Sequence, residues 1–235
     1  MILKLEHKFK KDVKFEQVNN YLHSMFSDIL FSNSKKENKK VSYSFKISRL
    51  KNYYQNKNYD IYFNSSDLDM LSLLEKNALK YNTKILTEMT SQISSLIKIS
   101  NINFEIYDIV LKNWNIDSDL IGKKRRIDYK KEFSIELLKE LIMYQVYNDL
   151  PITLKNQITP NSITKNNKDY FDFIDSIILG AERKVIIKNN FVTAYDIVIN
   201  IKSDKKSKIL GNQLVHNGSG AKNSFGLGYA EYYKL

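Results

Sequence analysis

The glycines near the end of the chain are the first residues whose spacing suggests chemistry. Four of the seven glycines fall within eleven residues, and these four are Gly218, Gly220, Gly226 and Gly228. Because glycine adopts positive φ and admits close backbone approach, the array predicts a loop that lies against another group. Lys222, Asn223 and Ser224 stand between these glycines. Backbone amides and a lysine together can form a concave anion site, so phosphate is the predicted ligand, and a hairpin turn without a ligand is the alternative.

The array differs from the standard phosphate-binding loops. A P-loop has the pattern G-x4-G-K-[ST], and a dinucleotide-binding fold has G-x-G-x-x-G between an early strand and a helix. Here Asn223 occupies the third position after Gly220, and the segment Tyr229–Tyr233 is typical of a final strand rather than a helix. The sequence therefore predicts neither a P-loop protein nor a dinucleotide-binding fold.

Three histidines are candidates for proton transfer, because the pKa of imidazole lies close to neutral pH. His23 lies on the flank of a predicted amphipathic helix, between its apolar stripe and its polar face, so it is the preferred candidate, with a solvated helix histidine as the alternative. His7 falls on the apolar side of a predicted strand, where a packing role is expected. His216 precedes the glycine array at the predicted end of a helix, where a charged imidazole is favourable.

The composition favours a polyanionic partner. The 235 residues contain 37 Lys and Arg against 26 Asp and Glu, which gives a formal charge of +11 and a pI near 9.4. Such an excess favours nucleic acid first and an anionic membrane second, and a generally basic surface is the simpler alternative. The chain has no cysteine, so disulfides and thiolate zinc sites are excluded. With no signal-peptide core and no apolar run of membrane-spanning length, we expect a cytoplasmic protein without a membrane partner.

The first half has the order of elements of a ferredoxin-like domain. Alternation of apolar and polar residues predicts strands, and a spacing of three to four residues predicts helices. The predicted elements are a strand at Leu3–Phe9, a helix at Phe15–Leu30, strands at Val41–Ile47 and Tyr59–Asn64, a helix after Asp67, and a strand at Phe104–Lys112. Residues 84–100 fit either a helix or a strand. The order β-α-β-β-α-β places two helices on one face of a four-stranded antiparallel sheet.

The second half predicts a similar domain. The polar segment 114–130, which includes a basic run at 123–126, is the predicted linker between domains 1–113 and 131–235. The predicted elements are helices at Ser134–Asn148 and Asp169–Leu179, strands at Val185–Lys188 and Phe191–Ile201, a short helix from Asp204, and a last strand at Tyr229–Tyr233. The predicted fold class is therefore α+β, with tandem ferredoxin-like (RRM-like) domains and antiparallel sheets.

The end of the chain resembles a known family. The run GSGAKNSFGLG, residues 218–228, resembles the C-terminal glycine-rich loop of the Cas6 CRISPR RNA endonucleases, within the wider superfamily of repeat-associated RAMP proteins. In that family the loop follows a short helix and precedes the last strand of a ferredoxin-like domain. The segment Tyr21–Phe26 also resembles the first-helix histidine segment of some Cas6 subfamilies. In others the histidine follows that helix, in a region that corresponds here to residues 32–40, which contain no histidine.

The resemblance implies a metal-independent endoribonuclease without a cofactor, which cleaves CRISPR precursor RNA within its repeats to give mature guide RNAs. The 2′-OH would attack the neighbouring phosphorus and leave a 2′,3′-cyclic phosphate. This reaction requires one proton to be removed, another to be supplied, and the added negative charge to be stabilised. The implied partners are CRISPR repeat RNA and other Cas effector subunits, and the expected state is a monomer or a homodimer. The alternative is a non-catalytic RAMP subunit that binds repeat RNA.

These requirements define the predicted site residues. His23, Lys39 and Tyr43 are the predicted catalytic residues, and no metal ligands are predicted. The predicted RNA-binding residues are Gly218, Gly220, Lys222, Asn223, Ser224, Gly226, Gly228, Lys46, Arg49 and Lys202. A site without histidine is an alternative, in which lysine and tyrosine stabilise the transition state, and its candidates are Lys35, Lys36, Lys39, Lys40 and Tyr43. These lysines are also typical of a solvated loop, and an unrelated basic protein can contain a glycine-rich turn, so these alternatives stay open at this point.

Overall fold

Two four-stranded antiparallel sheets organise the chain. The computed structural model describes residues 1–31, 43–48, 50–89, 93–103, 105–106, 125–126, 134–158, 171–221 and 223–233. Each sheet packs with its helices around a separate hydrophobic core. None of the helices in these ranges is long and apolar enough to cross a membrane.

The first sheet is formed by residues 2–89. Its strands are β1 Ile2–Lys8, β3 Tyr43–Ile47, β5 Asn58–Ser65 and β6 Thr83–Met89, hydrogen-bonded in the order β3-β5-β1-β6. A separate two-stranded ladder joins β2, Val13–Lys14, to β4, Asn52–Tyr53. Alternation along β1 buries Leu3 and Leu5 in the core, as the sequence predicted.

Two helices pack against this sheet. Helix α1, Phe15–Phe31, is amphipathic, and its buried residues are Val18, Leu22, Met25, Phe26, Ile29 and Leu30. Helix α2, Leu68–Asn77, begins after Asp67, whose carboxylate accepts hydrogen bonds from two amides of the first turn at 3.0 and 3.2 Å. Both predicted helices are confirmed, because an apolar stripe and an N-cap are signals that the local sequence carries.

The second sheet repeats the topology of the first. Its strands are β7 Leu96–Ile102, β10 Ile174–Ile187, β11 Asn190–Ile201 and β12 Tyr229–Tyr232, in the order β10-β11-β7-β12. Helices α3, Ile135–Asp149, and α4, Ile152–Ile158, lie between β7 and β10 in the chain, and helix α5, Lys205–Asn217, lies between β11 and β12. If the four strands of each sheet are numbered along the chain, their order across the sheet is 2-3-1-4 in both cases. This shared order confirms the predicted tandem ferredoxin-like fold.

The helix predicted at Asp169–Leu179 is wrong, because the chain enters strand β10 at Ile174. This strand contains a bulge between Leu179 and Glu182, where its register with β11 shifts. Ile177 is buried three residues after the buried Ile174, so the segment imitates the spacing of a helix. The segment is a strand because it pairs with β11, and the spacing of apolar residues within the segment does not reveal that pairing.

The boundary between the domains differs from the predicted one. Residues 84–100, which fit either a helix or a strand, contain most of β6 and the first part of β7. The fourth strand of the first sheet is therefore β6, and not the predicted strand at Phe104–Lys112. Of that predicted strand the structure describes Glu105–Ile106 (β8), which pairs with Arg125–Arg126 (β9). Apart from Arg125 and Arg126, the predicted linker 114–130 lies outside the described residues and stays a prediction. Strand β7, which was predicted to belong to the first domain, is part of the second sheet.

Polar contacts join the two domains. The buried Asn64, in β5, donates through Nδ2 to the carbonyl oxygens of Val215 and Ala230, at 2.8 and 2.9 Å. Lys46 of β3 forms an ion pair with Glu231 of β12 at 2.7 Å. The first domain thus contacts α5 and β12, and the glycine-rich loop is the segment that connects these two elements.

Candidate active site

The glycine-rich loop, residues 218–228, closes on itself between α5 and β12. Gly218, whose φ is 71°, is the C-cap of helix α5, and Gly228, whose φ is 65°, precedes β12. The Ser219 amide donates to the Gly228 carbonyl at 2.9 Å, and Asn223 Nδ2 donates to the Asn217 carbonyl at 3.3 Å. A Cβ at position 228 would lie 1.7 Å from the Ser219 carbonyl oxygen, so both φ and space require glycine there.

The same loop lies against groups of both domains. A Cβ at Gly226 would lie 2.8 Å from the ring of Phe45 in β3, and a Cβ at Gly220 would lie 2.5 Å from the carbonyl oxygen of Asn103, directly after β7. The sequence predicted that the glycine array lies against another group. In this structure that group includes the protein's own backbone and an aromatic side chain of the first domain.

Two amides of the predicted anion site are hydrogen-bonded inside the protein. The Gly220 amide donates to Gln145 Oε1 at 2.7 Å, and the Ala221 amide donates to the Asn103 carbonyl. This corrects the predicted anion site, which counted both amides as phosphate ligands. Lys222, the cation of that predicted site, lies outside the described residues, so its role stays a prediction.

His23 of the first domain reaches this loop. Its Nδ1 lies 2.9 Å from the carbonyl oxygen of Ser224, and its ring stacks on Phe225 with a centroid separation of 3.6 Å and an interplanar angle of 23°. Because a carbonyl oxygen accepts and does not donate, Nδ1 carries the proton, and Nε2 of the neutral ring is left as an acceptor. Two features that the sequence singled out separately, 201 residues apart, therefore meet.

The surroundings of His23 favour the neutral imidazole. Partial burial lowers the pKa of His23 below its usual value of 6.5. The hydrogen bond to the Ser224 carbonyl raises this pKa, and the positive charge of Lys188 lowers it further. At pH 7 the imidazole is therefore unprotonated, which is the form that a general base requires.

The other two histidines do not share this arrangement. His7 is buried with its Nδ1 2.9 Å from Thr83 Oγ1, and burial lowers the pKa of His7 to about 4, which confirms its predicted packing role. His216 lies in the last turn of α5 as predicted, but burial lowers the pKa of His216 to about 4, so stabilisation by a charged imidazole is wrong at neutral pH. The described part of the chain contains no group of three or more His, Asp or Glu side chains placed to hold a metal ion.

The turn between β10 and β11 forms a third side of the site. Its two residues, Lys188 and Asn189, have φ values of 47° and 63°. The Lys188 amide donates to Asn20 Oδ1, one helical turn before His23, at 3.1 Å, and the Lys188 ammonium lies 5.3 Å from the centre of the Phe225 ring. Sequence reasoning missed Lys188. An Asn between two strand patterns is a signal for the turn, but it does not identify the element against which the turn packs.

Tyr43 belongs to the hydrophobic core rather than to the surface. Its side chain is fully buried and stacks on Phe63 with ring centroids 5.1 Å apart, and burial raises the pKa of the Tyr43 phenol. A fully buried phenol is not accessible to RNA, which contradicts the predicted catalytic role of Tyr43. Lys39, the other predicted catalytic residue, and Arg49, a predicted binding residue, lie outside the described residues.

A cleft of about 590 Å³ lies beside the loop, between β3 of the first sheet and the β10–β11 hairpin of the second. The charged residues that line it are Lys46, Lys98, Arg183, Lys184, Glu16 and Asp196. Two aromatic side chains, Phe15 and Phe191, also line it and are 41% and 68% exposed. Cations bind phosphates and exposed aromatic rings stack on unpaired bases, so the lining of the cleft suits single-stranded RNA.

The two described lysines that were predicted to bind RNA differ in position. Lys46 lines the cleft, where it is held by its ion pair with Glu231. Lys202, directly after β11, pairs instead with Asp172 at 2.9 Å, and Asp172 also pairs with Lys139 at 3.0 Å. Since Lys202 does not line the cleft, Lys46 is the better placed of the two for contact with RNA.

Comparison with solved structures identifies the fold. A structure described as CRISPR associated protein Cas6 superimposes with a TM-score of 0.60 at 14% identity, over 99% of this chain and 98% of that chain. A Cas6-related protein from Pyrococcus furiosus gives a TM-score of 0.59 at 14% identity, over 100% and 99% of the two chains. A RAMP protein described as binding different RNA substrates gives 0.57 at 12% identity, over 99% and 98%. No protein-family model matches the sequence, and no curated protein matches it.

The tandem ferredoxin-like fold of this chain is thus shared with a solved structure that is described as a RAMP protein. More particularly, the chain has the fold of Cas6 over nearly the whole length of both chains. The fold implied by the glycine-loop resemblance is thus confirmed, and at identities of 12% to 14% the likeness concerns the fold.

Proposed function

We propose that this chain is an endoribonuclease that cleaves CRISPR precursor RNA within its repeats, without a metal ion, to give guide RNAs. One observation carries the proposal: the His23 imidazole of the first domain is oriented by the Ser224 carbonyl of the glycine-rich loop, in a protein with the Cas6 fold. Transesterification of RNA requires a base that is fixed in orientation and neutral at the working pH. His23 meets both requirements.

His23 is the general base in this proposal. Its Nε2 accepts the proton of the 2′-OH, the 2′-oxygen forms a bond to the phosphorus, and the bond from the phosphorus to the 5′-oxygen breaks. The protonated imidazole or water then supplies a proton to the 5′-oxygen. The products are a 2′,3′-cyclic phosphate and a 5′-OH.

The cleft provides a path for the RNA next to this base. Gly226 lines the cleft and directly follows Phe225, on which His23 stacks, so RNA in the cleft lies close to the proposed base. Cations of the lining would contact phosphates, and Phe15 and Phe191 would stack on bases. The description of one structural neighbour as a RAMP protein that binds different RNA substrates supports RNA as the ligand. Other Cas effector subunits are the further proposed partners.

Cleavage of a panel of labelled CRISPR repeat RNAs in EDTA tests the proposal. We expect wild type to cleave at least one repeat and His23→Ala to lose about 10²- to 10⁴-fold in rate, the usual contribution of acid–base catalysis. His23→Asn is the sharper variant, because its side-chain amide can still donate to the Ser224 carbonyl while no base remains. A similar loss in both variants would assign the effect to the chemistry rather than to the loop contact.

Ser24→Ala is the matched control for these variants. Ser24 is the next residue of α1 and is exposed, so its substitution should leave cleavage unchanged. A 2′-deoxy substitution at the cut site should prevent cleavage, because it removes the nucleophile. Cleavage at the wild-type rate by His23→Asn would overturn the role of His23, and cleavage of the 2′-deoxy substrate would overturn attack by the 2′-OH.

A non-catalytic RAMP subunit that binds repeat RNA is the second candidate function. Two observations favour it. The stacking of His23 on Phe225 can serve to hold the two domains together without any catalysis, and Tyr43, one of the predicted catalytic residues, is buried in the core. Binding of repeat RNA by wild type, without cleavage of any RNA in the panel, would support this candidate over the nuclease.

A further inference from the structure

We propose that Lys188, at the tip of the β10–β11 hairpin, contacts the phosphate of the RNA linkage that lies against His23. This inference deepens the proposed function and rests on it. Three observations support it: the backbone conformation of the turn, the anchorage of the turn to α1 and to the glycine-rich loop, and the position of the ammonium group.

Lys188 occupies a backbone conformation that is unfavourable for lysine. A two-residue hairpin turn with positive φ at both positions prefers Asn and Gly, because a longer side chain crowds the backbone at positive φ. Asn189 follows this preference, whereas Lys188, with a φ of 47°, does not. Residues held in such conformations are concentrated at functional sites, where the side chain serves a purpose beyond the turn.

The tip of the hairpin is fixed against the site. The Lys188 amide donates to Asn20 Oδ1 at 3.1 Å, and Ile187, directly before the turn, is buried in a cluster with Val192 and Leu227 of the glycine-rich loop. Helix α1, the hairpin and the loop therefore converge. The position of Lys188 is set by the same helix that carries His23.

The ammonium group of Lys188 is placed to bind an anion. The residue is exposed, its Nζ lies 5.3 Å from the centre of the Phe225 ring, and no carboxylate among the described residues forms an ion pair with it. The His23 ring stacks on the same phenyl group. A lysine cation so near destabilises the imidazolium that forms during proton transfer, unless an anion binds beside both groups. The phosphodiester under attack supplies such an anion and gains charge stabilisation from the ammonium.

Substitutions at position 188 test the proposal with the same labelled repeat RNAs. Lys188→Gln should reduce the slope of log affinity against log salt by about 0.7, the value for one phosphate contact with a single strand. The variant should also lower the single-turnover cleavage rate by about 10-fold or more, as expected for loss of one charge-assisted contact. Lys188→Arg should retain both quantities. Lys76→Gln, which removes an exposed lysine of α2, is the matched control and should change neither.

Lys188→Gly separates a role in RNA contact from a role in the turn. Glycine suits a positive φ, so the thermal unfolding midpoint should not fall, while the salt slope and the cleavage rate should both decrease as in Lys188→Gln. A wild-type slope and rate in Lys188→Gly would overturn the proposal, and so would slower cleavage with an unchanged slope. If wild type bound RNA without cutting it, the nuclease would be overturned, and the slope of Lys188→Gln would still decide the phosphate contact. Failure of wild type to bind repeat RNA at any salt concentration would overturn both proposals.

Discussion

The two nitrogens of the His23 imidazole have separate tasks. Nδ1 is engaged by the Ser224 carbonyl at 2.9 Å, and this contact fixes both the tautomer and the orientation of the ring. Under the proposed mechanism, Nε2 is the nitrogen that accepts the proton of the 2′-OH. The Gly220 and Ala221 amides are already hydrogen-bonded inside the protein. Under the proposed mechanism, the loop acts instead through the Ser224 carbonyl, which holds the base.

Cleavage is expected to slow on acidification through the pKa of His23, because protonation removes the proposed base. Partial burial, the largest cause, lowers this pKa below 6.5, so the rate should be constant near pH 7 and should decline only at a pH below 6.5. Single-turnover rates measured from about pH 4.5 to 8 would check this. Lys188→Gln should move the midpoint to higher pH, since it removes a repelling charge. A rate that rises as the pH falls would show that His23 acts as the acid in the limiting step.

At the scale of the elements, helix α3 holds the glycine-rich loop through Gln145. The Gln145 Oε1 accepts from the Gly220 amide at 2.7 Å and from the Ser219 hydroxyl at 3.1 Å, and its Nε2 donates to the Gly220 carbonyl at 3.3 Å. The side-chain amide thus pairs with both the N–H and the C=O of Gly220, as a residue of a neighbouring antiparallel strand would. Helix α3 therefore fixes the loop whose Ser224 carbonyl orients His23.

Gln145→Ala should lower the free energy of unfolding by about 1–3 kcal/mol, because the Gly220 amide loses its acceptor. Urea denaturation would measure the change. Gln157→Ala, at an exposed glutamine of α4, is the matched control and should have little effect. An unchanged urea midpoint in Gln145→Ala would show that the loop does not depend on this clamp.

Elements with local signals were predictable from the sequence, and contacts between elements were not. The caps at Asp67 and Asp204 and the alternation along β11 follow from a few adjacent residues, so these elements were found. The end of strand β10 was predicted at Val185–Lys188, whereas its first part was predicted as a helix, because a bulge disrupts its pattern and its partner strand determines its conformation. For the site, His23 and the glycine array were each recognisable, whereas their contact and the approach of Lys188 depend on how the two domains dock.

At the scale of the whole molecule, two domains of one topology contribute different parts to one site. The first domain supplies α1 with His23, and the second supplies the glycine-rich loop and the β10–β11 hairpin. The buried Asn64 is central to the docking of these domains, because its Nδ2 donates to two carbonyl oxygens of the second domain. Polar contacts of this kind act together with the stacking of His23 on Phe225 to orient the site across the interface.

Asn64→Asp should destabilise the folded protein more than Asn64→Ala at neutral pH. Alanine removes the donor to the carbonyls of Val215 and Ala230, at a cost of about 1–3 kcal/mol, whereas a carboxylate brings negative charge against both oxygens. Burial raises the pKa of the introduced carboxyl, so the variant should regain stability as the pH falls through that raised pKa. Urea midpoints at about pH 5 and pH 8 would measure this, and equal midpoints would contradict the expected role of the Asn64 donor.

The two residues of the His23–Ser224 contact are synthesised at different times. His23 leaves the ribosome 201 residues before Ser224. A nascent chain that has folded its first domain therefore carries the proposed base without the carbonyl group that orients it. Under the proposed mechanism, the transcripts and ribosomal RNA around a growing chain are spared until the second domain has been synthesised and docked.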